Sequence, residues 1–244
     1  MAIARVGSGS QMAFIRGAGV DSASQSYPAN VGAGNLLTSQ FGGWSSPADT
    51  SVGHTDSQGN TWTVGLGTSG VGWASGTGKP AIAHAIAGSS GANTVTVNPS
   101  GTGDYFNATL DEWSGVHVTT PNEVAAAEAT GTSTTPNAPG VTVAGEALIL
   151  GVTVGNNSQG PYTEGASFTL QEADTSGDRQ PYCTEFRIVT TGGTYAVPWT
   201  TYNNQPWSAM SAAYRVAGAA PSGRVFALAG EGGGLVGPQR GLAG

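Results

Sequence analysis

NTVTVN, residues 93–98, alternates strictly: Val95 and Val97 are apolar, Thr94 and Thr96 polar, and all four are β-branched. A period of two puts the valines on one face of a strand and the threonines on the other. The segment therefore predicts a half-buried strand. The same period recurs nearby in AIAHAIA (residues 81–87), where Ile82, His84 and Ile86 share a face and alanines take the other. Further on, ALILGVTV (residues 147–154) is apolar almost throughout, as a central strand covered on both faces would be.

Working outward, short runs rich in Val, Ile, Thr and aromatics alternate with clusters of Gly, Pro, Asn and Ser. QMAFIR (11–16), NLLTSQF (35–41), TWTVGL (61–66), YFNATLDEW (105–113), ASFTL (166–170), YCTEFRIVT (182–190), TYAVPWT (194–200) and WSAMSAAYRVA (207–217) complete the set. Around ten short strands with regular turn signals predict an all-β, antiparallel β-sandwich. The one helix candidate is NEVAAAEAT (122–130). It is short and runs into the breaker-rich GTSTTPNAPG, so a strand edge or a single turn fits it equally well. Residues 130–140 read as a crossover loop inside one domain, because neither half has many large apolar residues and a sandwich built from both fills a core more easily.

The chain has 244 residues, of which 9% are charged and 40 are glycine, with Lys79 the only lysine. An ordinary globular domain has roughly 25% charged residues. Hydrophobic residues nevertheless reach 38%, so the composition predicts a turn-rich folded domain rather than disorder. A surface poor in Lys and Glu is expected where it meets other protein. The formal net charge is −7, and the basic residues Arg5, Arg16, Lys79, Arg179, Arg187, Arg215, Arg224 and Arg240 are scattered. No cluster can follow a phosphate backbone, so no nucleic-acid partner is expected. No apolar run approaches the roughly 20 residues that span a bilayer, so no membrane partner is expected either. MAIARVGSGSQMAFIRGAGV at the N-terminus has no apolar stretch of signal-peptide length, which predicts synthesis in a host cytoplasm without a signal peptide. Cys183, the lone cysteine, sits in a strand-like run and reads as a buried, inert thiol.

A series of motifs lines up in order: VGAGNLLT (31–38), SVGHTDSQGNTWT (51–63), GANTVTVN (91–98), ATLDEWSGV (108–116), EALILGVTV (146–154) and WSAMSAAYRV (207–216). This series resembles a group of jelly-roll-like β-sandwich domains found in bacteriophage and prophage structural proteins, decoration and tail-associated proteins of the virion among them. The resemblance covers residues 31–216. It implies a β-sandwich domain over that span. Outside it lie an N-terminal arm or first strand (1–30) and a C-terminal arm (217–244) that is either flexible or ordered by assembly. Its motifs are structural, and it carries no catalytic residue.

Within HTDSQGNTWTV (54–64), Asp56 and Gly59 read as turn-makers and Trp62 as a core anchor. Calcium-loop spacing fails there. Gln58 stands where a carboxylate or Asn belongs, Asn60 follows the glycine, and no glutamate closes the loop. Ser57 and Gln58 at the tip are candidate contacts to a neighbouring subunit. His54, His84 and His117 show no zinc spacing. His84 reads as a core or interface histidine, the other two as strand-end residues. Asp111 and Glu112 are adjacent on a strand and point to opposite faces, so they do not form an acid–base pair. Asp104 and Asp56 are the other carboxylates that folding could bring to them. Trp44 and Trp73 lie in glycine-rich runs and are the candidates for an exposed ligand contact. No catalytic, metal or cofactor site is expected, and GTSGVG (67–72) lacks the lysine and following helix of a phosphate loop.

The expected function is non-enzymatic: a capsid decoration or cement protein of a phage virion. Its expected partners are the major capsid protein and copies of itself, plausibly as a trimer. The C-terminal segment is too low in complexity to order by itself; it is either flexible or an arm that orders on assembly through its apolar spots Val225, Phe226 and Leu228, and Leu235 and Val236. The alternative is a tail or fibre adhesin or a carbohydrate-binding module that holds a glycan with its loop tryptophans.

Overall fold

The computed structural model describes residues 2–6, 13–73, 76–101, 105–156, 161–174 and 181–218. Val225, Phe226, Leu228, Leu235 and Val236 lie outside this set, as do Asp104 and the side chain of Trp73. The described residues form strands and no helix. The first half of the chain gives β1 (Ala4–Arg5), β2 (Ala13–Ala18), β3 (Ala23–Ser26), β4 (Leu36–Ser45), β5 (Val52–Asp56), β6 (Thr63–Leu66), β7 (Val71–Trp73), β8 (Gly76–Ile86), β9 (Thr94–Pro99) and β10 (Tyr105–Ser114). The second half gives β11 (Asn122–Ser133), β12 (Asn137–Val143), β13 (Ala147–Gly155), β14 (Tyr162–Thr163), β15 (Thr169–Asp174), β16 (Tyr182–Val189), β17 (Gly193–Pro198), β18 (Thr200–Thr201) and β19 (Gln205–Arg215).

Every strand pairing is antiparallel. A seven-stranded sheet runs β1-β10-β4-β8-β6, with β2 also on β10 and β7 also on β8. Its two edges are thus interrupted strands, which leave no long template for pairing with another chain. A three-stranded sheet, β3-β9-β5, covers one of its faces. A five-stranded sheet, β11-β19-β13-β16-β15, covers the other. Outside that lies the two-stranded β12-β17. The result is an all-β sandwich of four layers with three apolar interiors.

Each interior follows from a period-two pattern. On one face of the seven-stranded sheet, Leu37, Phe41, Phe106 and Leu110 meet Val95 and Val97 of β9. On the other, Leu36, Ile82 and Trp113 meet Leu148, Leu150, Val152 and Tyr214 of the five-stranded sheet. The far face of that sheet, with Ile149, Cys183 and Ala213, packs on Val141 and Val197. All nine residues of β13 are buried because layers cover both its faces.

Of the readings open for residues 122–130, the strand edge holds: the segment lies in β11, an edge strand of the five-stranded sheet. Ala and Glu favour helix intrinsically, but the segment pairs along β19 with two register shifts, at Asn122/Val124 and Val124/Ala127. Most of the expected loop at 130–140 is strand, the end of β11 and the start of β12. Each half builds its own sheets, and the chain crosses between halves at Gly115–Pro121, but residues of both halves fill the middle interior, as expected. The first thirty residues contribute β1, β2 and β3. Ile3 is buried in the middle interior, and its N–H donates to Glu146 Oε1 at 2.7 Å.

Candidate functional site

The middle interior is open along one side, and the residues there explain why. On β8, His84 aligns with Thr38 of β4 and Thr63 of β6, and the last strand on that side is the short β6. Opposite it, the shifts in β11 take the chain out of regular register, as bulges do when they bend a strand. Only small side chains, Ala125 and Ala126, fill the space there. The two strands pinch together at one point: a Cβ on Gly65 would stand 2.5 Å from the Ala126 Cβ. Beyond the pinch the sheets part into a groove.

Two cavities form this groove, of about 160 Å³ and about 410 Å³. They share Thr63 and His84 as lining residues. The narrower cavity ends on Asn122 and Tyr214. The wider one opens between Asn60 on the β5–β6 turn and Val118–Thr119 on the crossing between halves. His84 is 8% exposed, with the Tyr214 ring edge-on at 5.2 Å. Neither imidazole nitrogen has a hydrogen-bond partner among the described residues. Burial pushes the His84 pKa down to about 4, so near neutral pH the ring offers one N–H donor and one bare nitrogen acceptor. Asn122 Oδ1 is likewise buried without a partner.

The hairpin that carries Asn60 is held by Asp56. One Asp56 oxygen accepts the Gln58 and Asn60 amides, each at 3.0 Å, and the other accepts Asn60 Nδ2 and Trp62 Nε1, each at 2.9 Å. Gly59 closes the turn at φ +73°, a conformation glycine adopts without strain. Burial works against the Asp56 charge, but the donors of Asn60, Trp62 and Asn93 outweigh it and hold the pKa below the usual value. Trp62 is half-buried and stacks on His54 at 5.4 Å. Ser57 stays exposed while it bonds Asn93 and the Thr94 amide, and half-buried Gln58 donates to the Ala92 carbonyl.

No family model, curated protein or solved structure matches the chain. The site therefore rests on its own geometry.

The other candidate residues are dispersed. His54 is buried in β5 against Ser39, 2.9 Å away, and burial lowers its pKa to about 4. His117 lies on the crossing and accepts from the Thr120 amide. No three His, Cys, Asp or Glu residues gather around a metal-sized space among the described residues. Trp44 and Trp73 lie in β4 and β7 rather than in loops. Trp44 is half-buried, with Tyr105 across the strand at 6.1 Å. Burial holds the Cys183 thiol protonated, its pKa pushed well up.

The carboxylates face different layers. In the middle interior Asp111 takes Arg5 at 2.5 Å and a short hydrogen bond from Gln171. Burial, opposed by Arg5, raises its pKa to about 6. Glu112, on the opposite face, accepts the Gly32 amide and Asn35. Asp49 accepts the Gly101 amide, and Glu185 accepts the Gly165 amide. Glu128 of β11 reaches across to the β6–β7 loop and accepts the amides of Thr68, Ser69 and Gly70 at 2.7–2.9 Å.

The groove escaped the sequence reading. His84 was legible as a buried histidine, but the groove it lines also needs Val118–Thr119 and Asn122, which only the meeting of the two halves brings opposite it. The available signal was one histidine in an alanine-rich strand.

Proposed function

We propose that the chain is a non-enzymatic structural protein of a phage virion, a decoration or cement protein. It would bind the major capsid protein and copies of itself. One observation supports this above the others: the buried carboxylates are spent on amides, Arg5 and side-chain amides of the chain's own layers, as a scaffold uses them. Catalytic pairs, by contrast, converge on a shared cleft.

The outer faces suit flat contacts. On the three-stranded sheet, Ser24 bonds Thr96 and Ser26 bonds Thr94, each at 2.7 Å. On the two-stranded sheet, Thr142 and Thr194 do the same at 2.9 Å. These hydroxyl ladders carry no charge to desolvate when another protein covers them. Purified protein added to capsids that lack it is expected to cosediment with them and raise their resistance to heat. The pair Ser24→Glu, exposed, and Thr96→Glu, half-buried on the same outer face, is expected to abolish cosedimentation while the circular dichroism spectrum stays unchanged. A protein that remains monomeric and ignores matching capsids sinks the proposal.

A further inference from the structure

We infer that the groove between the two central sheets is a binding site for a neutral saccharide. This goes beyond the structural role and does not depend on it. His84 is more than nine-tenths buried, lines both cavities and has no hydrogen-bond partner for either ring nitrogen among the described residues. Those nitrogens are free to bond a molecule that enters the groove, and a ligand that covered them without pairing them would incur a desolvation cost. Asn122, with its unpartnered Oδ1, lines the inner end.

The lining selects the ligand class. Among the described residues no Asp, Glu, Lys or Arg lines either cavity, so an ionic ligand would lose its hydration and gain no counter-charge. A purely apolar ligand would leave His84 and Asn122 unpaired. What remains is a molecule with hydroxyls on its rim and C–H groups on its faces. Thr63 and Thr119 offer hydroxyls, while Ile86, Val118 and Pro121 offer apolar contact. Val118 stands at the mouth with 53% of its surface exposed. The wider cavity, about 410 Å³, lies within the range of roughly 300–1,000 Å³ typical of small-molecule sites. A pyranose ring fits both the size and the alternation of polar and apolar surface.

The test is a titration of the full chain, followed by amide chemical shifts. The probes are methyl glycosides of neutral hexoses and N-acetylhexosamines and their disaccharides, with sialylated and sulfated sugars alongside. At least one neutral sugar is expected to saturate the protein and to shift residues 60–63, 84–88 and 118–122. The acidic sugars are expected to bind more weakly. His84→Phe keeps a ring against Tyr214 but removes both nitrogens, and is expected to weaken binding by about tenfold or more. If that variant fails to fold, Thr119→Trp decides, because it plugs the mouth from an exposed loop. Trp44→Ala is expected to leave binding unchanged. The inference is overturned if no neutral sugar saturates the protein, if acidic sugars bind better, if Thr119→Trp binds normally, or if Trp44→Ala rather than the groove variants abolishes binding. Capsid cosedimentation is read separately, so either proposal can fail alone.

Discussion

Glu185 shows how far a single side chain can be set against its surroundings. It is fully buried in β16, Oε2 accepts the Gly165 amide at 2.7 Å, and Oε1 has no partner. Burial, with some help from nearby Glu164, pushes its pKa up to about 8. Its folded pKa thus lies above the unfolded value, so its stabilising contribution is present at low pH. That contribution is lost as pH rises from about 4.5 through about 8. Asp111 has the same sign but finishes near pH 6. His54 and His84 have the opposite sign and act between about 6.5 and 4. Between pH 7 and 8 Glu185 therefore dominates. Stability is expected to fall there by about 1 kcal/mol per pH unit, and Glu185→Gln is expected to flatten the slope. Urea unfolding at pH 7.0, 7.5 and 8.0 reads this directly, and equal slopes for the two proteins would refute it.

At the scale of elements, β11 decides most. Its Ala and Glu content argues for helix, yet β19 holds it as a strand and Glu128 fastens it to the β6–β7 loop. That loop, GTSGVG, has no phosphate-loop signature, but it still gathers consecutive amides around an anion, the chain's own Glu128. Burial opposes the Glu128 charge. The hydrogen bonds of Ser208 and of the Ser69, Gly70 and Thr68 amides outweigh it and keep the pKa below the usual range. Glu128→Ala is expected to cost about 2 kcal/mol and to speed amide exchange at Thr68, Ser69 and Gly70 above all. Unchanged protection at those amides would show that the clamp is idle. This contact also marks where sequence reading stops. Strands such as β9, β10, β13 and β16 announce themselves through alternation or continuous apolarity, and so did the buried face of His84. β11 and β12 do not, because small and polar residues carry no period. Their strand state comes from partners about 50 to 90 residues away, β17 for β12 and β19 for β11, and propensity yields to such context. The groove was illegible for the same reason, since it exists only between elements of different halves.

At the scale of the whole molecule, the question is what holds the two halves, each with its own sheets, together. The middle interior is apolar in its bulk, but a polar line crosses it. Gln40 of β4 donates to the Gly151 carbonyl of β13 at 2.8 Å, and Tyr182 of β16 bonds Thr109 of β10 at 2.8 Å. Arg5 is the strongest element of this line. It pairs with Asp111, which also accepts from Gln171 of β15, and its guanidinium lies 5.4 Å from the Phe186 ring and 6.0 Å from Trp113. Three strands of the two large sheets, β10, β15 and β16, thus meet at one residue of β1. Removing one member of a buried ion pair strands its partner, at about 3–5 kcal/mol in the general case. Arg5→Met is therefore expected to destabilise the protein by about 3 kcal/mol at pH 8. The loss should shrink toward pH 5, because Asp111, its pKa already raised by burial, then takes a proton and loses its charge. Combining Arg5→Met with Asp111→Asn removes the stranded charge and is expected to recover more than half of the loss. Chemical denaturation of the three variants at both pH values, followed by tryptophan fluorescence, separates the outcomes. If the double variant is as unstable as the sum of the singles, the ion pair does not couple the halves, and apolar packing alone joins them.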